Sequence, residues 1–181
     1  MPRYVKGMRV IIFHGWGANS DSNWFPWLKA ELEKKDIDVV VPDMPSSENP
    51  KLRGWMNAAE KLKIGQDDIL VGHSLGTVLI LRLLEKYKVK SAYLVSSFHV
   101  YLDIPEIKDF TEHGFDFEKI KNNKITMLSS DNDPFIYYGI AEDLSKILNS
   151  KLIKFHNMEH LSRGTDNFKF PELLTLINED I

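Results

Sequence analysis

The sequence predicts an α/β protein, a three-layer sandwich in which a mainly parallel six-stranded sheet carries helices on both faces. Three observations lead there. Six short apolar runs recur along the chain, several with none of the polar alternation of a half-solvated strand, so both of their faces are buried. Helical stretches separate these runs throughout, and regular alternation of strand and helix implies a parallel sheet with crossover helices on both faces. Residues with chemical potential, His14, Ser74, Asp133 and His160, each stand just after a strand, the edge of such a sheet at which sites form.

Taken in order, Met8–Phe13 is a buried strand ending in His14-Gly15-Trp16-Gly17, and Ala18 to Asn23 is a polar loop. Trp24, Trp27, Leu28, Ala30 and Leu32 carry a helix whose C-terminal end is favoured by Lys34-Lys35. Val39-Val40-Val41 is the second strand, closed by Pro42, and residues 43 to 50 form a proline- and serine-rich loop. A helix follows over about Leu52 to Lys63, with Trp55, Ala58, Ala59 and Leu62 on one face and Gly65 beyond its end. Ile69–Val71 is the third strand, and Val78, Leu79, Leu81, Leu83 and Leu84 mark a deeply packed helix after it. Ser91–Val95 is the fourth strand. Residues 96 to 117 show no clear period but hold Phe98, Tyr101, Phe110, Phe115 and Phe117. A short helix at Glu118–Lys121, a fifth strand at Ile125–Leu128 and a turn at Ser129–Pro134 come next. A helix over Tyr138–Leu148, a sixth strand at Leu152–Phe155, a loop with His160 and a helix over Pro171–Asn178 complete the chain, proline being favoured in a first turn.

No repeat and no shift of composition marks a linker, so residues 1–181 read as one domain, long enough to bury a real core. The formal net charge of −3, with no basic run or stripe, gives no support to nucleic-acid binding. The chain has no cysteine, which removes disulfides and thiol chemistry and is compatible with a reducing compartment. Met1–Gly7 lacks the apolar core of a signal peptide, and no stretch approaches the ~20 apolar residues of a membrane span. The expectation is a soluble cytoplasmic protein that acts on a small molecule, with no membrane or nucleic-acid partner.

The stretch that organises the chemistry is Gly72-His73-Ser74-Leu75-Gly76, between a buried strand and a buried helix. In that setting the pentapeptide is a nucleophile elbow. The sharp turn strains the serine backbone and leaves no room for side chains two residues before and after, hence glycine at 72 and 76. The hydroxyl then stands at a helix N-terminus, where free N–H groups favour negative charge. A serine needs a base in reach, and a histidine oriented by a carboxylate serves best. In folds built around this elbow the partners follow in the order serine, acid, histidine.

His160 is the base candidate. His14 lies beside the first-loop glycine, His73 sits inside the elbow, His99 and His113 precede the acid, and His156 closes the last strand. Asp131 and Asp133 both qualify as acid but, two residues apart, point in different directions. Asp133, followed by Pro134-Phe135-Ile136, is favoured and Asp131 is the runner-up, the other carboxylate being left to brace the turn. An oxyanion hole requires two backbone N–H groups; those of Leu75 and Trp16 are the candidates. His14, Phe98, Phe110 and Phe115 are candidates for a substrate pocket above Ser74, preferring hydrophobic acyl groups.

These stretches together resemble the small single-domain serine hydrolases typified by retinoblastoma-binding protein nine, within the α/β-hydrolase superfamily. The likeness spans nearly the whole chain: the His14-Gly15 loop with Trp24 and Trp27, the elbow, Phe117–Lys121, Asp133-Pro134-Phe135, and His160 ahead of Phe170–Leu174. It implies Ser74, Asp133 and His160 as the triad, a compact fold lacking the first two strands of larger hydrolases, and no cofactor. Two positions depart from the pattern: Glu159 replaces the usual glycine before the histidine, and Tyr137 a common proline. The retinoblastoma-binding motif requires a cysteine and is absent, so that partner is not implied.

Other chemistries fit less well. His156 and His160 have the i, i+4 spacing of metal ligands on a helix but straddle a strand end and a loop. Asp131-Asn132-Asp133 begins like a calcium loop without its glycine or distal glutamate. No Gly-x-Gly-x-x-Gly follows the first strand, so no dinucleotide site is expected. The reading is a serine hydrolase acting on an ester, thioester or amide through an acyl-enzyme, of carboxylesterase-like type. Its rivals are a catalytically silent binding protein of the same fold and an acyltransferase using the same triad.

Overall fold

The computed structural model describes residues 7–162 and 168–181; the leader reading above rests mainly on residues 1–6, outside this range. The element order is β1 (Arg9–Phe13), α1 (Phe25–Glu33), β2 (Asp38–Val40), α2 (Leu52–Glu60), β3 (Ile69–His73), α3 (Leu75–Leu84) and β4 (Ser91–Val95), then a 3-10 helix (Pro105–Phe110), α4 (Phe117–Ile120), β5 (Ile125–Ser130), α5 (Tyr138–Leu148), β6 (Lys151–Phe155) and α6 (Pro171–Asn178). The strands form one sheet in the order β2-β1-β3-β4-β5-β6, and every pairing among them is parallel. This is the parallel six-stranded sheet with intervening helices that the alternation predicts.

Side chains that alternate along each strand feed two separate cores. Val10 and Ile12 of β1 and Val71 of β3 face one layer, where Phe25, Leu28 and Leu32 of α1 meet Leu173 and Ile177 of α6. Ile11, Phe13 and Leu70 face the other, against Trp55 of α2, Val78 of α3, Ile120 of α4 and Leu144 of α5. All ten residues of α3 are buried, so its sequence is apolar all round rather than striped. Arg82 is the exception in kind: its guanidinium is buried and donates to the carbonyls of Phe110, His113 and Gly114.

The chain runs from β1 outward to β2 and then back past β1 to β3, so strand order reverses between β1 and β3. Loops leaving the carboxyl ends of these two strands diverge and open a crevice. The loop after β1 and the turn after β3 are the ones that carry Trp16 and Ser74. The predicted elements recur with shifted ends. α2 stops at Glu60, short of the predicted Lys63, which takes a left-handed φ of 53°. The irregular segment after β4 holds the unpredicted 3-10 helix, with Pro105 in its first turn.

Candidate active site

Ser74 has φ 53° and ψ −120°, a region that costs a non-glycine residue about 1–3 kcal/mol and persists only where the surroundings enforce it. They do. Its N–H donates to the Val95 carbonyl at 2.9 Å, while its carbonyl accepts from the Thr77 N–H at 2.9 Å and the Thr77 hydroxyl at 2.6 Å. The flanking glycines answer to close approach rather than to torsion. A Cβ on Gly76 would run into the Phe13 carbonyl and lie 2.7 Å from that of His14. One on Gly72 would lie 2.8 Å from Ile80 Cδ1 and 2.9 Å from the Gly76 backbone. Both glycines let α3 sit directly on β1 and β3. A Cβ on Gly15 would lie 3.2 Å from that of Ser74, which measures how closely the first loop passes the serine.

Across the crevice, His160 Nδ1 and Asp133 Oδ2 are 2.7 Å apart. A carboxylate only accepts, so Nδ1 carries the proton and Nε2 presents its lone pair. The Asp133 side chain is 3 % exposed and that of His160 12 %. Burial alone would raise the Asp133 pKa. The hydrogen bond to His160, that ring's positive charge when protonated, and the N–H groups of Phe135 and Ile136 on Oδ1 outweigh it and hold the carboxyl below its usual range. Ser74 and His160 both line the same cleft. Among the described residues no hydrogen bond joins Ser74 Oγ to His160 Nε2; such contacts are often long in free enzymes and tighten with substrate bound.

Asp131 faces another way. Its Oδ2 lies 2.6 Å from His156 Nδ1 and its Oδ1 accepts the Asn157 N–H at 3.1 Å, both near the surface. His156 and His160 thus each hold a separate carboxylate. Among the described residues, no cluster of three or more metal-ligating side chains occurs and no helix is long and apolar enough to cross a membrane.

The cleft over Ser74 has a volume of about 200 Å3, with Phe98, Leu102, Ile104 and Ile107 from the segment after β4 and Ile136 from the loop after β5 among its walls. Phe98 therefore stands where a pocket residue is expected. His14, Phe110 and Phe115 do not. His14 is fully buried, donating from Nδ1 to the Gly15 carbonyl and accepting the Met44 N–H on Nε2, so it ties the first loop to the chain after β2. Burial pushes its pKa down, against its bond to Gly15 and the charge of Asp43. Phe110 packs edge-on against Trp55, in the core beneath α3. Phe115 lies over the Arg82 guanidinium, 3.7 Å from its carbon to the ring centre.

In the first loop, Gly17 donates to the Ser47 carbonyl and Ala18 to that of Gly15. Trp16 N–H and Leu75 N–H donate to no backbone carbonyl among the described residues. Leu75, as the first residue of α3, has no acceptor within its helix, and its N–H is one of that helix's orphan donors.

The sequence matches the family model described as Serine hydrolase over residues 10–179. The chain belongs to the serine hydrolase family. Among curated relatives, it is 29% identical to the Bacillus subtilis hydrolase YdeN over 161 residues, 84% of this chain and 85% of that one. It is 25% identical to the rat serine hydrolase RBBP9 over 174 residues, 93% and 91% of the two chains. The crystal structure of the B. subtilis ydeN gene product superposes with a TM-score of 0.88 at 26% identity, covering 96% of this chain and 98% of that one. The fold is shared more widely: the RedJ thioesterase of Streptomyces coelicolor gives a TM-score of 0.64 at 14% identity, over 96% and 85% of the chains.

In this serine hydrolase several residues that sequence reasoning did not single out fix the position of His160. His73, read from sequence only as a residue inside the elbow, donates from Nε2 to the His160 carbonyl at 2.9 Å, and Ser96 Oγ donates to the same oxygen at 3.0 Å. Burial, and then the nearby charge of His160, push His73 down to about 3, so it stays neutral 4.8 Å ring to ring from His160. Trp24 Nε1 donates to the next carbonyl, that of Leu161, at 3.0 Å. From the other side, Asn132 Oδ1 accepts the Glu159 N–H at 2.8 Å and Ser130 Oγ accepts that of Met158 at 2.9 Å. Glu159 has φ 50° with its side chain in solvent, and Tyr137 is an exposed residue just before α5.

Proposed function

We propose that this serine hydrolase cleaves an ester, thioester or amide bond of a small molecule through an acyl-enzyme on Ser74, with Asp133 and His160 completing the triad. The observation that carries the reading is the 2.7 Å Asp133–His160 bond, in the tautomer that leaves Nε2 free as a base, beside a serine held at a strained elbow. Ser74 Oγ attacks the acyl carbonyl and its proton passes to His160 Nε2. The carbonyl π pair moves onto oxygen, where the N–H groups of Leu75 and Trp16 are the assigned donors; one such donor is worth about 2.7–4 kcal/mol in the transition state. As the tetrahedral species collapses, the bond to the leaving group breaks and His160 gives that group its proton. Water then enters and its oxygen bonds the acyl carbon as His160 takes one of its protons; collapse breaks the acyl–Ser74 bond, and His160 returns that proton to Oγ, releasing the acid and restoring the hydroxyl.

His73 contributes by remaining neutral. A second cation next to His160 would oppose the imidazolium that forms in each half-reaction, and the burial that keeps His73 uncharged removes that opposition. The test is labelling with a fluorophosphonate probe. Stoichiometric modification of the wild type, none of Ser74→Ala, and a rate about 10⁴-fold lower or less for His160→Ala are expected. A folded wild type that does not react, or a Ser74→Ala variant that reacts equally well, overturns the assignment.

A further inference from the structure

Resting on that acyl-enzyme reading, we propose that the cleft beneath the segment after β4 is an acyl site for an uncharged, unbranched chain of medium length, and that Phe135 is the residue closing it over bound substrate. Two recesses meet at Ser74. One is edged by polar groups, among them Ser22, Asn23 and Ser162. The other is the 200 Å3 cleft, walled by the side chains of Phe98, Leu102, Ile104, Ile107 and Ile136. During turnover the leaving group departs and water must replace it, which the polar recess allows. The acyl group stays attached to Ser74 Oγ throughout and belongs in the apolar one.

The dimensions set the chain. At roughly 30 Å3 per water-sized group, the cleft holds about five to seven carbon-sized groups beyond the reacting carbonyl, a hexanoyl to octanoyl tail. Its described lining holds no Asp, Glu, Lys or Arg, so a charged chain end would be desolvated there without a partner. At the mouth, Phe135 lines the cleft yet is 68 % exposed, and its ring meets the His160 ring edge-on with centres 5.1 Å apart. A large apolar side chain left in water beside a catalytic group gains contact only when a chain passes under it. That gain grows with chain length.

The experiment is a series of p-nitrophenyl esters from acetate to dodecanoate, with the p-nitrophenyl half-ester of adipic acid as a charged match for hexanoate. In the wild type, kcat/KM should rise up to about fourfold per added methylene, peak at hexanoate or octanoate, and fall at dodecanoate. The adipate half-ester should be at least 100-fold poorer than hexanoate. Phe135→Ala, which keeps the backbone N–H that Asp133 accepts, should lower the octanoate-to-acetate ratio at least fivefold. Leu102→Trp, filling a half-buried wall position, should move the optimum to butyrate or shorter. Tyr137→Ala, exposed and outside the lining, should leave the profile as it is. A flat profile, a maximum at acetate, equal use of the adipate half-ester, or a Phe135→Ala loss independent of chain length overturns the acyl site. Fluorophosphonate labelling of the same preparations separates the two claims. A labelled enzyme with the wrong profile refutes the acyl site alone, and an unlabelled one removes the acyl-enzyme with it.

Discussion

Replacing His73 by glutamine tests whether the buried neutral imidazole makes stability depend on pH. In the folded protein His73 is 4 % exposed and pushed down to about 3, against an ordinary histidine value of 6.5. The sign follows from linkage. Because the folded pKa is depressed, the unfolded chain binds a proton below pH 6.5 that the folded chain does not. The associated stability is complete above pH 6.5 and is lost as pH falls toward 3. At about 1.4 kcal/mol per pH unit, the two units between 6.5 and 4.5 correspond to roughly 3 kcal/mol. Glutamine cannot take up the proton but has an N–H to offer the His160 carbonyl. It also gives up edge contacts with Trp24 and Phe25, so the variant starts from a lower stability at pH 7.5. Urea unfolding of both proteins at pH 7.5 and 4.5 separates these effects. The wild type should lose about 3 kcal/mol more than the variant over this interval. The other depressed histidines, His14 and His99, contribute to both and cancel. Equal losses in the two proteins would refute the buried-histidine account.

Two further substitutions divide closely placed residues by role. Asp133→Asn removes the acceptor that fixes the His160 tautomer and should reduce kcat about 10⁴-fold on an ester the wild type hydrolyses, whereas Asp131→Asn, whose carboxylate among the described residues meets only His156 and the Asn157 N–H at hydrogen-bond distance, should cost less than tenfold. The reverse ranking would make Asp131 the acid. Glu159 has φ 50°, so Glu159→Gly should be about 1 kcal/mol more stable than Glu159→Ala in urea unfolding, because only glycine relieves the left-handed backbone; an alanine variant as stable as the glycine one would count against that strain.

The sheet was legible because its information is local. Apolar runs such as Val10–Phe13 and Ile69–Val71, followed by polar or glycine turns and then a helical period, define strand, loop and helix without reference to the rest of the chain. The elbow was legible because its Gly-x-Ser-x-Gly pattern between an apolar strand and an apolar helix is itself local, although Gly76 answers to the distant Phe13 and His14 carbonyls. The segment after β4 was not. Phe98, Phe110 and Phe115 look alike in sequence, with no period to tell which faces the cleft. Their fates depend on two distant side chains, Trp55 beside Phe110 and Arg82 beneath Phe115. A buried arginine in an otherwise apolar helix was the available signal that a loop must come to it with carbonyl groups. His14 was misread because its position beside the crevice is visible in sequence, while its partner, the Met44 N–H, lies thirty residues away.

The placement of His160 depends on relations between loops, and there the energetics explain the sequence. Asn157, Glu159 and Leu161 all have positive φ, a cost of about 1–2 kcal/mol each for Glu159 and Leu161 and less for Asn157, whose side chain tolerates this region. A run that alternates in and out of the left-handed region cannot be regular, so its amides and carbonyls need partners from elsewhere. The end of β5 and the loop after it supply them. Ser130 takes the Met158 amide, Asp131 the Asn157 amide and the His156 ring, Asn132 the Glu159 amide, and Asp133 the His160 ring. Five hydrogen bonds at about 0.5–1.5 kcal/mol, more where a carboxylate accepts, match the strain they oppose. On the far side His73, Ser96 and Trp24 hold the next two carbonyls. The polar run Ser130–Asp133 is thus more than a turn containing an acid. It is a template on which an otherwise unfavourable backbone is laid down, with Asp133 as its last rung. That arrangement gives a glutamate a tolerable position at 159, because the strain there is opposed by the Asn132 bond and its neighbours rather than avoided by the residue itself.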